Sequence, residues 1–508
     1  MFKNITKEKK TRILFLISIL FSFILITVYF MSKRTFIMDE SFSFALANYF
    51  EAPMPGWIVY DTNTEVAKEL MNGYTVTTNA FNYKAVSYNM AHDVHPPLYS
   101  WALHTISSIF KGRFTIWFSY MLNAPLFLIN CFLLMRIVKE ETNSDLYMVL
   151  INLLYSLNSV FLYHFQFIRM YQLLSTITLV FLYVVLKIIK NKGKSMVNSL
   201  LLFITTIIGG LTHYYFYIAL GCISLCALIY LIVNKRYKDL LWPFLACVSA
   251  TLLNIFVIFK GTIEQFGFSH GASSLEKMKS FSLNIDFMEK YIKQSYGGTI
   301  VFVLMLIVLV ASIIMAFVKK NHKFDIIVLL LASYFINYLF VSNLATYAIE
   351  RYMMAMEAIG LLALFLGLCY LLEDKRVVMI LSCGIIVLNT DFSWVSRLNT
   401  TKTWDIAKEH QWDKAFVLSS EEGDSYNWVN SYLWVDLRWY ESVYTSNISG
   451  NISNVLMGDE FVLYIDRDLD QREALDKIKN ELPGGEDYEY IEKVDAYTSK
   501  YNMYILHG

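Results

Sequence analysis

The chain has 508 residues, 56% of them hydrophobic, 16% aromatic and only 17% charged, which is more apolar surface than a water-soluble fold buries. A soluble enzyme is therefore excluded, and repeated crossing of a bilayer is expected. The 43 Lys and Arg balance the 43 Asp and Glu, so zero net charge gives no reason to expect nucleic acid as a partner.

At the amino end, Lys7-Glu8-Lys9-Lys10-Thr11-Arg12 precedes an apolar run from Ile13 to Met31. The run is too long for a signal-peptide core and lacks a small-residue cleavage site, so it reads as an uncleaved first helix with its basic end in the cytoplasm. Further runs of membrane length fall at 114–135, 146–163, 170–189, 196–212, 214–233, 239–259, 299–318, 324–343, 353–372 and 376–392, making eleven crossings with the first. Between the first and second runs, residues 32–113 form a long loop. It carries Met38-Asp39-Glu40-Ser41 near its start and Asp93-Val94-His95-Pro96-Pro97-Leu98-Tyr99 near its end. Two consecutive prolines suit a helix entry and not a helix interior, so Asp93 and His95 are expected on a rigid turn before a short helix at 98–110.

Whether 98–110 crosses decides the topology. If it does, the basic linkers around Lys187–Lys194, Lys235–Lys238, Lys319–Lys323 and Lys375-Arg376 all fall outside, against the positive-inside rule. Laid along the surface, the short helix puts all four in the cytoplasm, and this reading is adopted. The six cysteines lie inside apolar segments, so neither a disulfide nor a thiolate metal site is expected.

With that parity, five polar-aromatic clusters share the outer face: Asp39-Glu40, Asp93-Val94-His95, His164 to Tyr171 with Arg169, Thr212-His213-Tyr214-Tyr215-Phe216, and Glu350-Arg351-Tyr352. Singly, each has a plain explanation as an interface anchor or aromatic belt. Together they point to a shared cavity. An acidic pair at the mouth of a helix can supply a general base.

These motifs, in this order, resemble the membrane-integral glycosyltransferases of the GT-C type, near the protein O-mannosyltransferase and aminoarabinose-transferase branch (glycosyltransferase family 39-like). The resemblance covers roughly residues 10–372, and His95-Pro96-Pro97-Leu98-Tyr99 with the upstream Asp39-Glu40 is its specific part. It implies an all-α polytopic membrane protein of about eleven transmembrane helices plus juxtamembrane helices, with residues 1–392 as the catalytic domain. It also implies transfer of a sugar from a polyprenyl-phosphate donor to a glycan, lipid or protein acceptor on the extracytoplasmic face of a bacterial plasma membrane, with membrane lipid as surroundings. Asp39 then matches the general base and Glu40 its neighbour in acceptor placement. His95 stands where the aminoarabinose branch often has a lysine; a neutral imidazole is the weaker phosphate ligand. Arg351, beside Tyr352, is the better phosphate candidate, because a guanidinium binds two oxygens bidentately, and Arg169 is a second. Asp93, Tyr99, Tyr171, His213 and Tyr214 are expected to line the substrate. No second acid accompanies Arg169, where aminoarabinose relatives carry an aspartate. No metal or other cofactor enters the expected mechanism, although His92, Asp93, His95 and His213 make a borderline donor set.

The outer loop 260–298 contains Phe266 to Gly271 and an amphipathic stretch from Leu275 to Gln294, suited to a gate or a surface helix. After Asp391 the composition changes: the tail holds 21 of the 43 acidic residues. Strand-like runs at 415–418, 460–465 and 502–506 alternate with helical patterns near 427–441 and 470–481, so residues 393–508 are expected to form a small extracytoplasmic α/β domain. Asn447 and Asn451 open N-glycosylation patterns. The competing class is a multi-pass transporter or lipid flippase, which should show broken helices and charges deep in the bilayer. A scaffold subunit comes third, and the Asp39-Glu40 pair argues against it.

Overall fold

The computed structural model describes residues 7–34, 38–49, 74–190, 195–267, 277, 279, 282–295, 298–319, 321–345, 349–399, 401–402, 414–419, 439–444, 460–481, 490–494, 496–497 and 501–507. Two compact units emerge, one formed by residues 1–28, 90–99 and 119–391, the other by 29–89, 100–118 and 392–508.

The helices begin with α1 (Lys7–Met31), α2 (Met38–Asn48), α3 (Tyr83–Ala91), α4 (Leu98–Ile109), α5 (Trp117–Thr142), α6 (Asp145–Ser156), α7 (Ser159–Gln166), α8 (Tyr171–Lys190), α9 (Ser195–Thr212) and α10 (Tyr215–Val233). They continue as α11 (Leu241–Leu253), α12 (Gly261–Gly267), α13 (Ile285–Gln294), α14 (Thr299–Lys319), α15 (His322–Leu344), α16 (Met354–Leu371), α17 (Lys375–Asn389) and α18 (Ser393–Arg397). Each of the eleven apolar runs is helical, although 146–163 is divided between α6 and α7 and 239–259 joins a 3-10 turn, α11 and a π-turn. Among the described residues eight helices are long and apolar enough to cross a membrane, or nine if the bent pair α6 and α7 is one span. The chain is thus a multi-pass membrane protein. Of the other two runs, α9 is a shorter apolar helix over Met196–Thr212, and α17 has 15 residues. Helix α4 has 12 residues, about 18 Å at 1.5 Å per residue, against roughly 30 Å of hydrocarbon. It is too short to cross, as the charge argument requires.

The first unit is organised on α16, in which every residue from Met354 to Leu368 is buried. An apolar helix with no polar face can be placed only inside a bundle. Close approach is made possible by Gly360, where a Cβ would sit 2.6 Å from the Tyr334 ring. Polar side chains join helices elsewhere. On α6, Asn152 donates to the Ser18 carbonyl at 3.1 Å and the Ser22 hydroxyl at 2.9 Å on α1; such bonds contribute on the order of 0.6 kcal/mol each inside a membrane. The 56° bend between α6 and α7 has a local cause. Leu157 N–H closes α6 onto Leu153, and the Asn158 side chain accepts from Val160 N–H at 2.9 Å, starting a new helix in place of continuing the old one.

At the end of the bundle that bears the Lys187–Lys190 linker, ion pairs join neighbours: Lys187 to Glu140 at 2.9 Å, Lys190 to Glu141 at 2.6 Å and Lys139 to Asp145 at 2.6 Å. All six cysteines are free thiols.

In the second unit, α2 turns Phe44, Ala45, Leu46 and Ala47 inward, and Phe44 packs on Phe114 with ring centroids 4.7 Å apart. A buried polar network ties the short helices: Asn48 donates to the Tyr74 carbonyl at 2.7 Å, and His104 Nε2 accepts from Asn82 N–H at 2.9 Å. The carboxyl-terminal part forms β1 (Thr401–Lys402), β2 (Lys414–Ser419), β3 (Trp439–Tyr444), β4 (Glu460–Asp466), β5 (Tyr490–Val494), β6 (Ala496–Tyr497) and β7 (Tyr501–His507), with α19 (Gln471–Glu481) after β4. The main sheet has the order β3-β2-β4-β7-β5. Strand β2 runs parallel to β3 and β4, with Leu418 opposite Ile465, while β7 is antiparallel to β4 and β5. Asp470 caps α19 by accepting from Arg472 and Glu473 N–H, and Ile478 on that helix is buried.

The sheet and α19 give this tail the α/β make-up expected of it, with one correction. The helical pattern near 427–441 does not extend through its end, because Trp439 to Tyr444 form β3. Trp, Tyr and Val all favour strand over helix, and four of the six residues Trp439 to Tyr444 are of these types. Residues 427–438, the two N-glycosylation patterns and the Phe268–Gly271 part of the outer loop lie outside the described residues. In that loop, the second half of the amphipathic stretch is realised as α13.

Candidate functional site

The first unit brings most of the candidate residues together. Pro96 and Pro97 close the turn before α4, leaving Asp93 and His95 side by side, and His95 Nδ1 donates to Asp93 Oδ2 at 2.8 Å. Burial raises the Asp93 carboxyl, but His95 and the Arg169 charge outweigh it, so the net shift is below the ordinary 3.8. Asp93 is ionised at neutral pH.

Gln265 on α12 fixes this turn. Its amide donates to the carbonyls of Met90 and His95, the latter at 3.2 Å, while its oxygen accepts from the Tyr214 hydroxyl. Burial pushes the Tyr214 phenol up, which keeps it a donor.

The linker after α7 carries Arg169. Its shape is imposed from α5, where buried Asn123 donates to the carbonyls of Phe165 at 3.0 Å and Phe167 at 2.8 Å, and Ser119 donates to Gln166 O at 2.9 Å. Buried carbonyls of a broken span need such donors. The result holds Arg169 buried and stacks the rings of Phe167 and Tyr171 with an interplanar angle of 7°.

Arg351 sits in a single 3-10 turn, Glu350–Met353, at the head of α16. Its guanidinium carbon lies 5.6 Å from the ring centroids of both Phe167 and Tyr171, a cation over two aromatic faces. Tyr352 packs on Tyr215 at 5.1 Å.

His213, between α9 and α10, is the residue around which these groups meet. Its ring lies 5.4 Å from His95, 5.8 Å from Tyr171 and 5.0 Å from Tyr215. Burial, reinforced by His95, Arg169 and Arg351, holds its imidazole well below the ordinary 6.5. It is neutral, and since Nδ1 accepts from Tyr215 N–H at 3.1 Å, the proton resides on Nε2. That atom is buried with no hydrogen-bond partner among the described residues.

Asp93, His95, Arg169, Tyr171, His213, Tyr214, Arg351 and Tyr352 therefore form one connected group. Tyr99 is buried at the first turn of α4. Asp39 and Glu40 belong to the second unit, in the first turn of α2, where a negative charge is favoured by the helix dipole. Asp39 is half-buried. Glu40 is fully buried (0% exposed) and bonded to Lys33 Nζ at 2.6 Å, which gives it a structural partner that the sequence reading did not name. Among the described residues no three His, Cys, Asp or Glu side chains are grouped to hold a metal ion, so the His92, Asp93, His95 and His213 set does not converge as one. Gln265 escaped the sequence reading, while Phe167 and His164 fell within a cluster assigned to the shared cavity but were not named as site residues. Gln265 lies on α12 with no motif around it. His164, five residues before Arg169, carried a readable signal, a histidine inside an otherwise apolar segment.

No family model matches the sequence, and no curated protein is similar to it. Among solved structures, the chain is similar to the crystal structure of ArnT from Cupriavidus metallidurans bound to undecaprenyl phosphate, with 11% identity, 95% of this chain and 96% of that chain covered, and a TM-score of 0.49.

Proposed function

We propose that this multi-pass membrane protein is a glycosyltransferase that moves a sugar from a polyprenyl-phosphate donor to a glycan, lipid or protein acceptor on the extracytoplasmic face. The observation that carries the reading is the cationic group of the first unit. Arg351 and Arg169 come from separate linkers, both act on the buried neutral His213, and Arg351 lies over two aromatic faces. Two guanidinium groups at helix ends are suited to an anionic headgroup, and the rings to a sugar.

In the proposed reaction the acceptor hydroxyl or amine loses its proton to a carboxylate and attacks the anomeric carbon. The bond from that carbon to the phosphate oxygen breaks, and the polyprenyl phosphate departs with the electron pair, inverting the centre. Arg351, with Arg169, stabilises the departing charge. The carboxylate assigned as base is Asp39, on the resemblance of the Asp39-Glu40 pair to that of GT-C enzymes and on its partial exposure in the first turn of α2. Gln265 and the Asp93 contact orient His95 for the phosphate or sugar.

The bend between α6 and α7 and buried Glu357 within α16, which accepts from the Tyr291 hydroxyl, are features that a transporter would also show. One experiment separates the two. Purified protein in liposomes is given polyprenyl phosphate bearing a labelled sugar, with and without a crude acceptor extract. A transferase releases the sugar from its lipid only when acceptor is present. Movement of intact sugar-lipid between leaflets without cleavage would refute the reading.

A further inference from the structure

His164 and His213 are buried, at 1% and 6% exposure, and both lie against the ring of Tyr171, with centroid distances of 5.9 and 5.8 Å. Both nitrogens of His164 and Nε2 of His213 have no hydrogen-bond partner among the described residues. Buried polar atoms left unpaired are costly, and two such histidines against one aromatic ring are suited to receive a polar ligand. Resting on the glycosyltransferase reading, we infer that His164 and His213 form the subsite for the transferred sugar, and that this sugar is neutral and hydroxyl-bearing, not a cationic amino sugar.

The inventory of atoms carries the argument. A neutral His164 offers one N–H and one acceptor nitrogen, and neutral His213 offers one N–H. Two donors and one acceptor complement a pair of sugar hydroxyls, each of which both donates and accepts. A phosphate has acceptors for the two N–H groups but no proton for the remaining ring nitrogen when fully ionised. Tyr171 and Phe167, stacked beside the histidines, supply the flat apolar face that a sugar ring covers. An ammonium on the sugar would add a third positive charge near Arg351, which lies over those same two rings, and near Arg169. The carboxylate in the group, Asp93, is already bonded to His95.

The test measures binding to the full-length protein in nanodiscs, with undecaprenyl phosphate and with undecaprenyl phosphate carrying either mannose or aminoarabinose as probes. Mannosyl lipid is expected to bind several-fold tighter than the bare phosphate, and the aminoarabinosyl form no tighter than the bare phosphate. His164→Phe and His213→Phe are each expected to weaken the mannosyl lipid about tenfold, the loss typical of an unmade buried hydrogen bond, while bare phosphate binding stays within twofold. His213→Gln, which keeps a donor near Nε2, should recover most of that loss, and it serves where the Phe protein does not fold. Equal losses for bare and sugar-bearing lipid, or tighter binding of the aminoarabinosyl form, would overturn the inference but leave the transferase reading intact. Failure of the wild type to bind any of the three lipids would overturn both.

Discussion

Replacing Arg351 by lysine keeps the positive charge at the head of α16 but removes the planar fork. In the structure the guanidinium carbon is 5.6 Å from two ring centroids, so the group is held over Phe167 and Tyr171. Lysine retains part of the attraction to the rings, so the loss is chiefly one charge-assisted hydrogen bond, about 1.5–3 kcal/mol. Arg351 is only half-buried, and water screens part of that contribution, which places the cost near the lower end, about 1.5–2 kcal/mol. At 1.4 kcal/mol per tenfold, affinity for undecaprenyl phosphate should fall roughly 10- to 30-fold. Tryptophan-quenching or native mass spectrometric titration of both proteins in detergent measures it. Affinities equal within threefold would remove Arg351 from the phosphate site. A loss from lysine as large as that from alanine would show the charge itself to be irrelevant.

Glu40→Gln should destabilise the protein by about 3–5 kcal/mol by removing the carboxylate partner of buried Lys33, whereas the double change Lys33→Met with Glu40→Leu should recover most of it; thermal melts that give additive losses would refute the pair. Because Asp93 is held below its ordinary 3.8, its stabilising contribution is complete above that value and is lost only as the pH falls through the lower folded pKa. The gap in melting temperature between wild type and Asp93→Asn should therefore hold from pH 7 down to pH 5 and close only in stronger acid; closure already at pH 5 would contradict the assignment. In a cysteine-free background, single cysteines at Lys238 and Lys477 should be protected and labelled, respectively, by an impermeant reagent added to intact cells; the reverse would overturn the proposed orientation.

The helices were legible because a bilayer demands long apolar runs, and no other signal in the chain competes with them. The reading of α4 as too short to cross rested on its length and on the charge of distant linkers. The break at Leu157 and Asn158 was missed, although Asn158 is a good N-cap, because apolar residues continue on both sides and hide the punctuation. Strand β3 was read as part of a helix because its window holds bulky residues that satisfy either period. In the site, charged and motif-bearing residues such as Asp93, His95, Arg169 and Arg351 could be read from their position at helix ends. Gln265 could not, since its role depends on carbonyls of Met90 and His95 some 170 residues away in sequence. The Lys33–Glu40 pair was equally hidden, as an adjacent acidic pair does not reveal which member is buried.

The central claim is chemical, and Asp39→Asn tests it most directly. Asparagine keeps the size and hydrogen-bonding oxygen of the side chain at the first turn of α2, so folding and lipid binding should be retained. It cannot accept a proton, and loss of a general base typically costs 10²–10⁴-fold, so release of labelled sugar from the polyprenyl phosphate to acceptor should fall at least about a hundredfold. A folded, lipid-binding Asp39→Asn protein that keeps more than about a tenth of wild-type turnover, above what loss of a base permits, would contradict the account.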